Sequence, residues 1–270
     1  MGNVSDHKFA VITGASAGIG LELAKQCAAH GFDVLVCAED TAIHDVAAQI
    51  EGAQACQADL ATREGVEQLV EAIRQTGRPV DALLLNAGVG VGGRFLETDL
   101  DAELAMIALN CNHTVHLAKR VVPDMVSRGQ GRVLITASVV STAPAPYQAV
   151  YGATKAFVMS FAEALRVELA DTGVTVTALQ PGATDTKFFE RAGMMDTKVG
   201  QEKKDDPAIV AKRGLEAMMA GKDSVLGGTF KNRLEGLANE ILPETVKAKL
   251  VAKTTKPQSG KHKPAHGRSH

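Results

Sequence analysis

Tyr151 and Lys155, in the run Tyr151-Gly152-Ala153-Thr154-Lys155, carry the plainest chemical signal in this chain of 270 residues. Four residues apart on a helix, they share one face. An ammonium can then lie beside a phenol and lower its pKa from about 10 toward neutrality. Such a phenol can give or take a proton near physiological pH. Ser138, thirteen residues before Tyr151 and at the end of an apolar run, can donate a hydrogen bond to a substrate oxygen and hold it beside the phenol. A Tyr and a Lys at this spacing, taken alone, describe an ordinary surface helix. Their weight comes from the rest of the chain.

The run Thr13-Gly14-Ala15-Ser16-Ala17-Gly18-Ile19-Gly20 directly follows the first apolar segment and opens the first amphipathic one. Glycines there let the backbone turn tightly and approach a pyrophosphate, whose charge rests on unpaired amides at the positive end of a helix. Three residues separate Gly14 from Gly18, and this TGxxxGxG form, with Ser138 and the YxxxK pair, resembles the short-chain dehydrogenase/reductase family. Further pieces of that family's pattern recur in order from Phe9 to Phe189.

The resemblance implies hydride transfer between a nicotinamide dinucleotide and a carbonyl or secondary alcohol. Tyr151 would be the general acid or base and Ser138 would orient the substrate oxygen. Lys155 would lower the phenol pKa and hold the nicotinamide ribose. Cofactor contacts are implied for Gly14, Ser16, Gly18, Ile19 and Gly20, for Asp59-Leu60 at the adenine, and for Asn86-Ala87-Gly88. They are also implied for Pro181-Gly182-Ala183-Thr184-Asp185-Thr186, where the Thr184 backbone and the Thr186 hydroxyl would meet the carboxamide or phosphate. The family's asparagine lies thirteen residues before a helix proline, here Pro123, which selects Asn110 over Asn112. Its implied role is to hold a water through a local helix distortion, completing a proton relay from Lys155 to solvent. The family carries its substrate lid over about residues 187–206. Phe188, Phe189, Met194 and Met195 in its front half suit a medium-sized apolar carbonyl, although a Met pair is more often core packing.

Cofactor choice turns on Ala38-Glu39-Asp40 after the second strand. No cation stands at Ala38 or Ala17 to pair a 2′-phosphate, and Glu39 or Asp40 could accept hydrogen bonds from a free 2′-hydroxyl. NAD is therefore expected over NADP, with Glu39 as the selecting acid. The family's usual acid sits one residue earlier, where this chain has Ala38, which weakens the selection.

These groups require a scaffold. Short apolar runs, Phe9–Thr13, Asp33–Cys37, Ala55–Ala58, Ala82–Leu85, Arg132–Ala137, Val174–Leu179 and Ser224–Leu226, read as buried parallel strands. Helical segments alternate with them, including Ile19–His30, Glu64–Gln75, Glu103–Arg128 and Ala153–Asp171. The pattern predicts an α/β fold of Rossmann type, a doubly wound, seven-stranded parallel sheet with helices on both faces. One domain is expected over 1–252, with a C-terminal extension over 231–252 that could pack on a subunit interface or over the active site. A disordered basic tail is expected over 253–270.

Composition, 45% hydrophobic and 22% charged with a net charge of -2, excludes a field that would gather nucleic acid or an anionic membrane. No apolar stretch reaches the ~20 residues of a bilayer span. Cys27, Cys37, Cys56 and Cys111 lack disulfide or zinc spacing, which fits a reducing cytoplasm. His113 and His116, one turn apart, have no third ligand, so no metal is expected. A small-molecule substrate and a homodimer or homotetramer are expected, pairing through the helices Glu103–Arg128 and Ala153–Asp171. Two other readings remain. A nucleotide-sensing regulator would not need the Ser, Tyr and Lys that are present. A nucleotide-sugar epimerase or dehydratase would need a larger C-terminal domain than follows the seventh strand.

Overall fold

The computed structural model describes residues 7–228 and 244–258. Seven strands form one parallel sheet in the order β3-β2-β1-β4-β5-β6-β7. They are β1 (Lys8–Thr13), β2 (Phe32–Ala38), β3 (Ala53–Gln57), β4 (Ala82–Leu85), β5 (Gly131–Thr136), β6 (Val174–Gln180) and β7 (Ser224–Leu226). The doubly wound α/β architecture expected from the alternating apolar and amphipathic runs is the one observed. The chain starts in the middle, builds outward to β3, then crosses back to β4 on the other side of β1. That reversal leaves a crevice at the carboxyl ends of β1 and β4, where open α/β sheets bind ligands.

Both faces of the sheet are covered, which is why its strands read as near-continuous apolar runs. One face packs on α1 (Gly18–Ala29), α2 (Ala42–Gln49) and α9 (Pro207–Met219), through Leu23, Ile43, Val46, Leu215 and Met218. The other packs on α3 (Arg63–Gln75), α5 (His113–Ser127) and α6 (Ala149–Glu168), through Leu69, Ile73, Leu117, Val121 and Val158. Local chemistry sets several boundaries. Thr62 caps α3 by accepting from the Gly65 amide, and Asp99 caps α4 (Leu100–Ile107) by accepting from the Ala102 amide. Asp206 caps α9, with Pro207 in its first turn where no amide is needed.

Besides shifts of one or two residues at several element ends, three departures from the sequence reading bear on the site. The single helix expected over Glu103–Arg128 is α4, a π turn over Ala108–Asn112, and α5. The helix expected from Ala153 begins at Ala149, so Tyr151 sits in its first turn. Residues 253–258, assigned to a disordered tail, continue structure instead: the last described helix spans Glu244–Thr255, Thr197 pairs with Pro257, and the Gln258 amide donates to the Asp196 carbonyl. Its charged, Thr-containing sequence concealed a helix whose partners are tertiary. Residues 259–270, like most of the expected extension up to residue 243, lie outside the described residues. No helix among the described residues is long and apolar enough to cross a membrane.

Candidate active site

The glycine loop joins β1 to α1, and its geometry admits no larger residue at two points. Gly14 has φ 67°, and a Cβ there would lie 2.7 Å from the Ala87 Cα. A Cβ on Gly20 would lie 2.1 Å from the Gly14 carbonyl oxygen. Ala17 at the start of α1 supplies no side-chain cap, so the first amides of that helix face the crevice with their donors unspent. An uncapped helix start beside glycines at positions 14, 18 and 20 suits a pyrophosphate.

The crevice continues from that loop as a cleft of about 780 Å³ lined by Gly14, Ser16, Gly18, Ile19, Gly20, Glu39, Asp59, Leu60, Asn86, Ala87 and Gly88 at one end and Ser138, Tyr151 and Lys155 at the other. Pro181, Gly182, Thr184 and Thr186 form a wall between them. Every residue proposed for the site from the sequence except Asn110 borders it, but several are already engaged. Asn86 ties three strand ends together: its side-chain amide donates to the Thr13 carbonyl at 3.1 Å and its Oδ1 accepts from the Thr136 hydroxyl at 3.1 Å. Asp59 Oδ1 accepts from the Ala61 amide at 2.9 Å, shaping the turn into α3, and Leu60 is buried in the core beneath that helix. Asp40 accepts from the Ser16 hydroxyl at 2.7 Å, which draws the acid after β2 onto the glycine loop. The Thr184 hydroxyl donates to the Gly182 carbonyl. Thr186 lies so close to the loop that a Cβ on Gly18 would meet its methyl at 2.8 Å.

At the far end, Ser138 leaves β5 in extended backbone and opens a short turn, and α6 brings Tyr151 and Lys155 to the same floor, all three buried. The Lys155 ammonium donates to the Thr136 carbonyl at 2.9 Å and lies 5.9 Å from the centre of the Tyr151 ring. The electrostatics depart from the expectation of a phenol lowered by the lysine. Burial pushes the phenol up to about 12, and the protein group that draws it down is the hydrogen bond with Ser138. Burial likewise pulls Lys155 down to about 8. Both shifts have one cause, since a desolvated site disfavours phenolate and ammonium alike.

Asn110 is buried within the π turn, whereas Asn112 is exposed. The helix distortion implied at this point is that π turn. The Asn110 side-chain amide donates to the Thr154 hydroxyl at 2.9 Å and to the Val89 carbonyl at 3.0 Å, and its Oδ1 accepts from the Val89 amide at 3.0 Å. It therefore clamps the loop after β4 to α6. A Cβ on Gly88 would fall 3.0 Å from Asn110 Oδ1 and 3.3 Å from Lys155 Nζ, so the glycine allows the three to meet. Thr136 carries no motif in the sequence, and Thr13 and Thr154 stand in theirs with no role assigned. The one signal they offered was a hydroxyl on an otherwise apolar strand or beside the YxxxK lysine. His113 and His116 face different partners, the Leu109 carbonyl at 2.8 Å and Glu67 at 2.7 Å, so they do not converge.

These observations meet in one comparison: the short chain dehydrogenase family model matches residues 8–196, a span that holds the glycine loop, Ser138, Tyr151 and Lys155. The chain belongs to the short-chain dehydrogenases/reductases. It is 33% identical over 217 residues to an uncharacterised oxidoreductase of Staphylococcus saprophyticus, covering 78% of this chain and 91% of that one. A short-chain dehydrogenase from Sphingobium yanoikuyae in complex with NADPH superposes with a TM-score of 0.76 at 28% identity, covering 87% of this chain and 96% of that one. A 3-ketoacyl-(acyl-carrier-protein) reductase from Brucella melitensis complexed with NADH gives 0.73 at 26% identity, covering 83% and 98%.

In this short-chain dehydrogenase the end of the cleft that holds Tyr151 is bordered by two segments. The first, the segment expected as a lid, begins with α7 (Phe188–Arg191), whose Phe188 ring lies 5.2 Å from that of Tyr151. It docks on the loop after β4: a Cβ on Gly90 would be 2.4 Å from Phe188 and one on Gly92 would be 2.3 Å from Met194. Met194 is buried and Met195 exposed, so one of the pair is core packing. The second segment is the C-terminal helix, which we label α10 (Glu244–Thr255), after the short α8 (Lys198–Gln201). Val251, Thr254 and Thr255 of α10 line the cleft, and the Thr255 hydroxyl donates to the Pro146 carbonyl at 2.8 Å. The described part of the extension thus borders the cleft of its own chain.

Proposed function

We propose that this chain interconverts a carbonyl and a secondary alcohol, with a nicotinamide dinucleotide as hydride carrier. The observation that carries this reading is the burial of Ser138, Tyr151 and Lys155 on one floor of a cleft that runs unbroken to the uncapped start of α1. When bound there, the nicotinamide would supply the hydride chemistry. The protein's part is to orient and to move a proton. Ser138 and Tyr151 hydrogen-bond the substrate oxygen, and the Tyr151 hydroxyl gives its proton in reduction and takes one in oxidation. Lys155 holds the ribose, the Ser138 hydrogen bond favours the phenolate against its burial, and Asn110 positions the π turn through which the proton relay reaches solvent. A phenol raised by burial stays protonated at neutral pH, which suits the acid needed for reduction. The test is Tyr151→Phe, which removes only the ionisable oxygen. Turnover should fall 10²-fold or more with cofactor affinity and melting temperature nearly unchanged; retention of about a tenth of the wild-type rate refutes the assignment.

For the cofactor, NAD over NADP is the reading that Glu39 and Asp40 favour, because both acids border the cleft after β2. The Ser16 hydrogen bond holds the Asp40 carboxylate beside the glycine loop, where a dianionic 2′-phosphate would meet negative charge. The ratio of kcat/KM for NADH over NADPH on one carbonyl should exceed one, and Glu39→Arg should lower it. An advantage for NADPH in the wild type would overturn this choice while leaving the reaction class intact. Substrates are small carbonyls or alcohols with an apolar body, suited to Phe188, Phe189, Val139 and Val251 along the cleft. We further propose a homodimer or homotetramer joined through α4, α5 and α6.

A further inference from the structure

Cys37 and Cys56 are far apart in the chain, yet the sheet sets them directly opposite each other on the adjacent parallel strands β2 and β3. Residues paired in this way point to the same face, here the apolar layer that also packs α3, α5 and α6. Neighbouring strands run about 4.8 Å apart, within the range of Cα separations that a disulfide spans. Both thiols are free. Cys37 is fully buried, whereas Cys56, on the edge strand of the sheet, is 6% exposed. The two are chemically unequal. The hydrogen bond from the Cys37 thiol holds Cys56 below the ordinary thiol range, and the same bond together with burial raises Cys37. A more acidic thiol at the edge with a neutral thiol behind it is the arrangement of an attacking and a resolving cysteine.

The pair stands beneath the end of the cleft that would take the adenosine half of a dinucleotide. Ala38, Glu39 and Asp40, which follow Cys37, and Ala58 and Asp59, which follow Cys56, border that end. The Cys37 carbonyl accepts from the Ala15 amide of the glycine loop at 3.2 Å, and the Ala38 carbonyl accepts from the Ala58 amide at 2.9 Å. The backbone at Cys37 is thus one of the holds on the glycine loop. Side chains of paired residues on parallel strands stand side by side, so their Cβ atoms are about as far apart as the strands, beyond the roughly 3.5–4.5 Å of a disulfide. Bridging them must draw the two strand ends together, and Cys37 carries the Ala15 contact with it.

We propose that Cys37 and Cys56 form an oxidisable dithiol site, which a hydroperoxide converts to a disulfide that loosens the glycine loop and weakens dinucleotide binding. The Cys56 thiolate attacks one peroxide oxygen, the O–O bond breaks, and the second oxygen leaves as water or an alcohol with the proton that Cys56 gave up. Cys56 is then a sulfenic acid. The Cys37 sulfur attacks the Cys56 sulfur, the S–O bond breaks, and hydroxide leaves as water with the Cys37 proton. Two thiols and one hydroperoxide give one disulfide, one water and one further water or alcohol, and the two electrons lost by the sulfurs reduce the O–O bond. An external dithiol reverses the bridge by exchange. The effect on the dinucleotide rests on the oxidoreductase reading of the cleft, whereas the bridge and the loop contact do not.

The test treats the full chain with hydrogen peroxide and digests it, unreduced, with a protease that cuts after glutamate, which severs Cys37 from Cys56 at Glu39 and Glu51. Two peptides joined with the loss of two hydrogens identify the bridge. It should persist in Cys27→Ala, whose thiol lies in the other apolar layer, and vanish in Cys56→Ala. In the bridged protein the Ala15 amide should exchange its hydrogen faster, and the dissociation constant of the tighter-binding of NADH and NADPH, read by nucleotide fluorescence, should rise about fivefold or more. Dithiothreitol should restore both, and Cys56→Ala should bind the dinucleotide as reduced wild type does, with no response to peroxide. Peroxide that leaves both thiols free, or that carries Cys56 to a sulfinic or sulfonic acid with no bridge, overturns the proposal. So does a bridged protein in which Ala15 exchange is unchanged or the affinity falls by less than about fivefold. A reduced protein that binds neither dinucleotide, but whose bridge forms and speeds Ala15 exchange, overturns the oxidoreductase reading and leaves the dithiol site standing.

Discussion

At the scale of single residues, Tyr151 and Lys155 are governed by desolvation more than by each other. Their ionisations move in opposite directions, the phenol up to about 12 and the ammonium down to about 8, because both charged forms are disfavoured by the same burial. The sign of the pH dependence follows. The folded-state pKa of Lys155 lies below its ordinary 10.5, so its charge is present below about pH 8 and lost as pH rises through that value. Reduction should use the charged form, and kcat/KM for reduction should fall above about pH 8 although Tyr151 remains protonated there. A pH profile from 6 to 10 checks this, with Lys155→Met as control: the variant should be slow throughout and lack the limb. A wild-type profile flat to pH 10 would assign Lys155 a role that does not depend on its charge.

At the scale of elements, the loop after β4 explains why this chain alternates glycine through Gly88-Val89-Gly90-Val91-Gly92. Successive glycines face Asn110 and Lys155, then Phe188, then Met194, so each gap in the strand-like backbone is filled by a side chain from another element. The segment proposed as a lid is seated on glycine. Gly90→Ala would set a methyl 2.4 Å from the Phe188 ring, forcing the ring away from Tyr151 and opening the substrate end. The expected outcome is a rise in KM for the carbonyl of several-fold, with the dissociation constant of the reduced cofactor within about twofold of wild type. Equal losses of substrate and cofactor affinity would mean that the whole loop had shifted and that the lid is not its specific partner.

At the scale of the whole molecule, two apolar layers account for the fold, and the outer faces of α4 and α6 leave large side chains uncovered. Leu104 is 53% exposed and Phe157 46%, with Leu100, Ile107 and Val167 also exposed. A scattering of apolar surface is ordinary, but side chains of this size on the helices of the proposed interface suit a symmetric contact. Light scattering at micromolar concentration should give a dimer or tetramer, and Phe157→Glu should shift it toward monomer. A monomeric wild type would remove the interface.

Much of this molecule was legible before any coordinates. Strand periodicity, the glycine loop and the YxxxK pair are local patterns, written in residues near one another in the chain, and local physics decides them: backbone sterics at Gly14, one shared helix face for Tyr151 and Lys155, buried strands that must be apolar on both sides. The choice of Asn110 over Asn112 came from the family resemblance, through the distance to Pro123, and its burial is consistent with it. What tertiary structure alone decided are properties that depend on distant partners. The phenol's pKa rises because of burial that no tetrapeptide encodes, and Asn86 is spent on Thr13 and Thr136 because three strand ends converge there. Residues 253–258 are ordered because Thr197, Asp196 and Pro146 meet them.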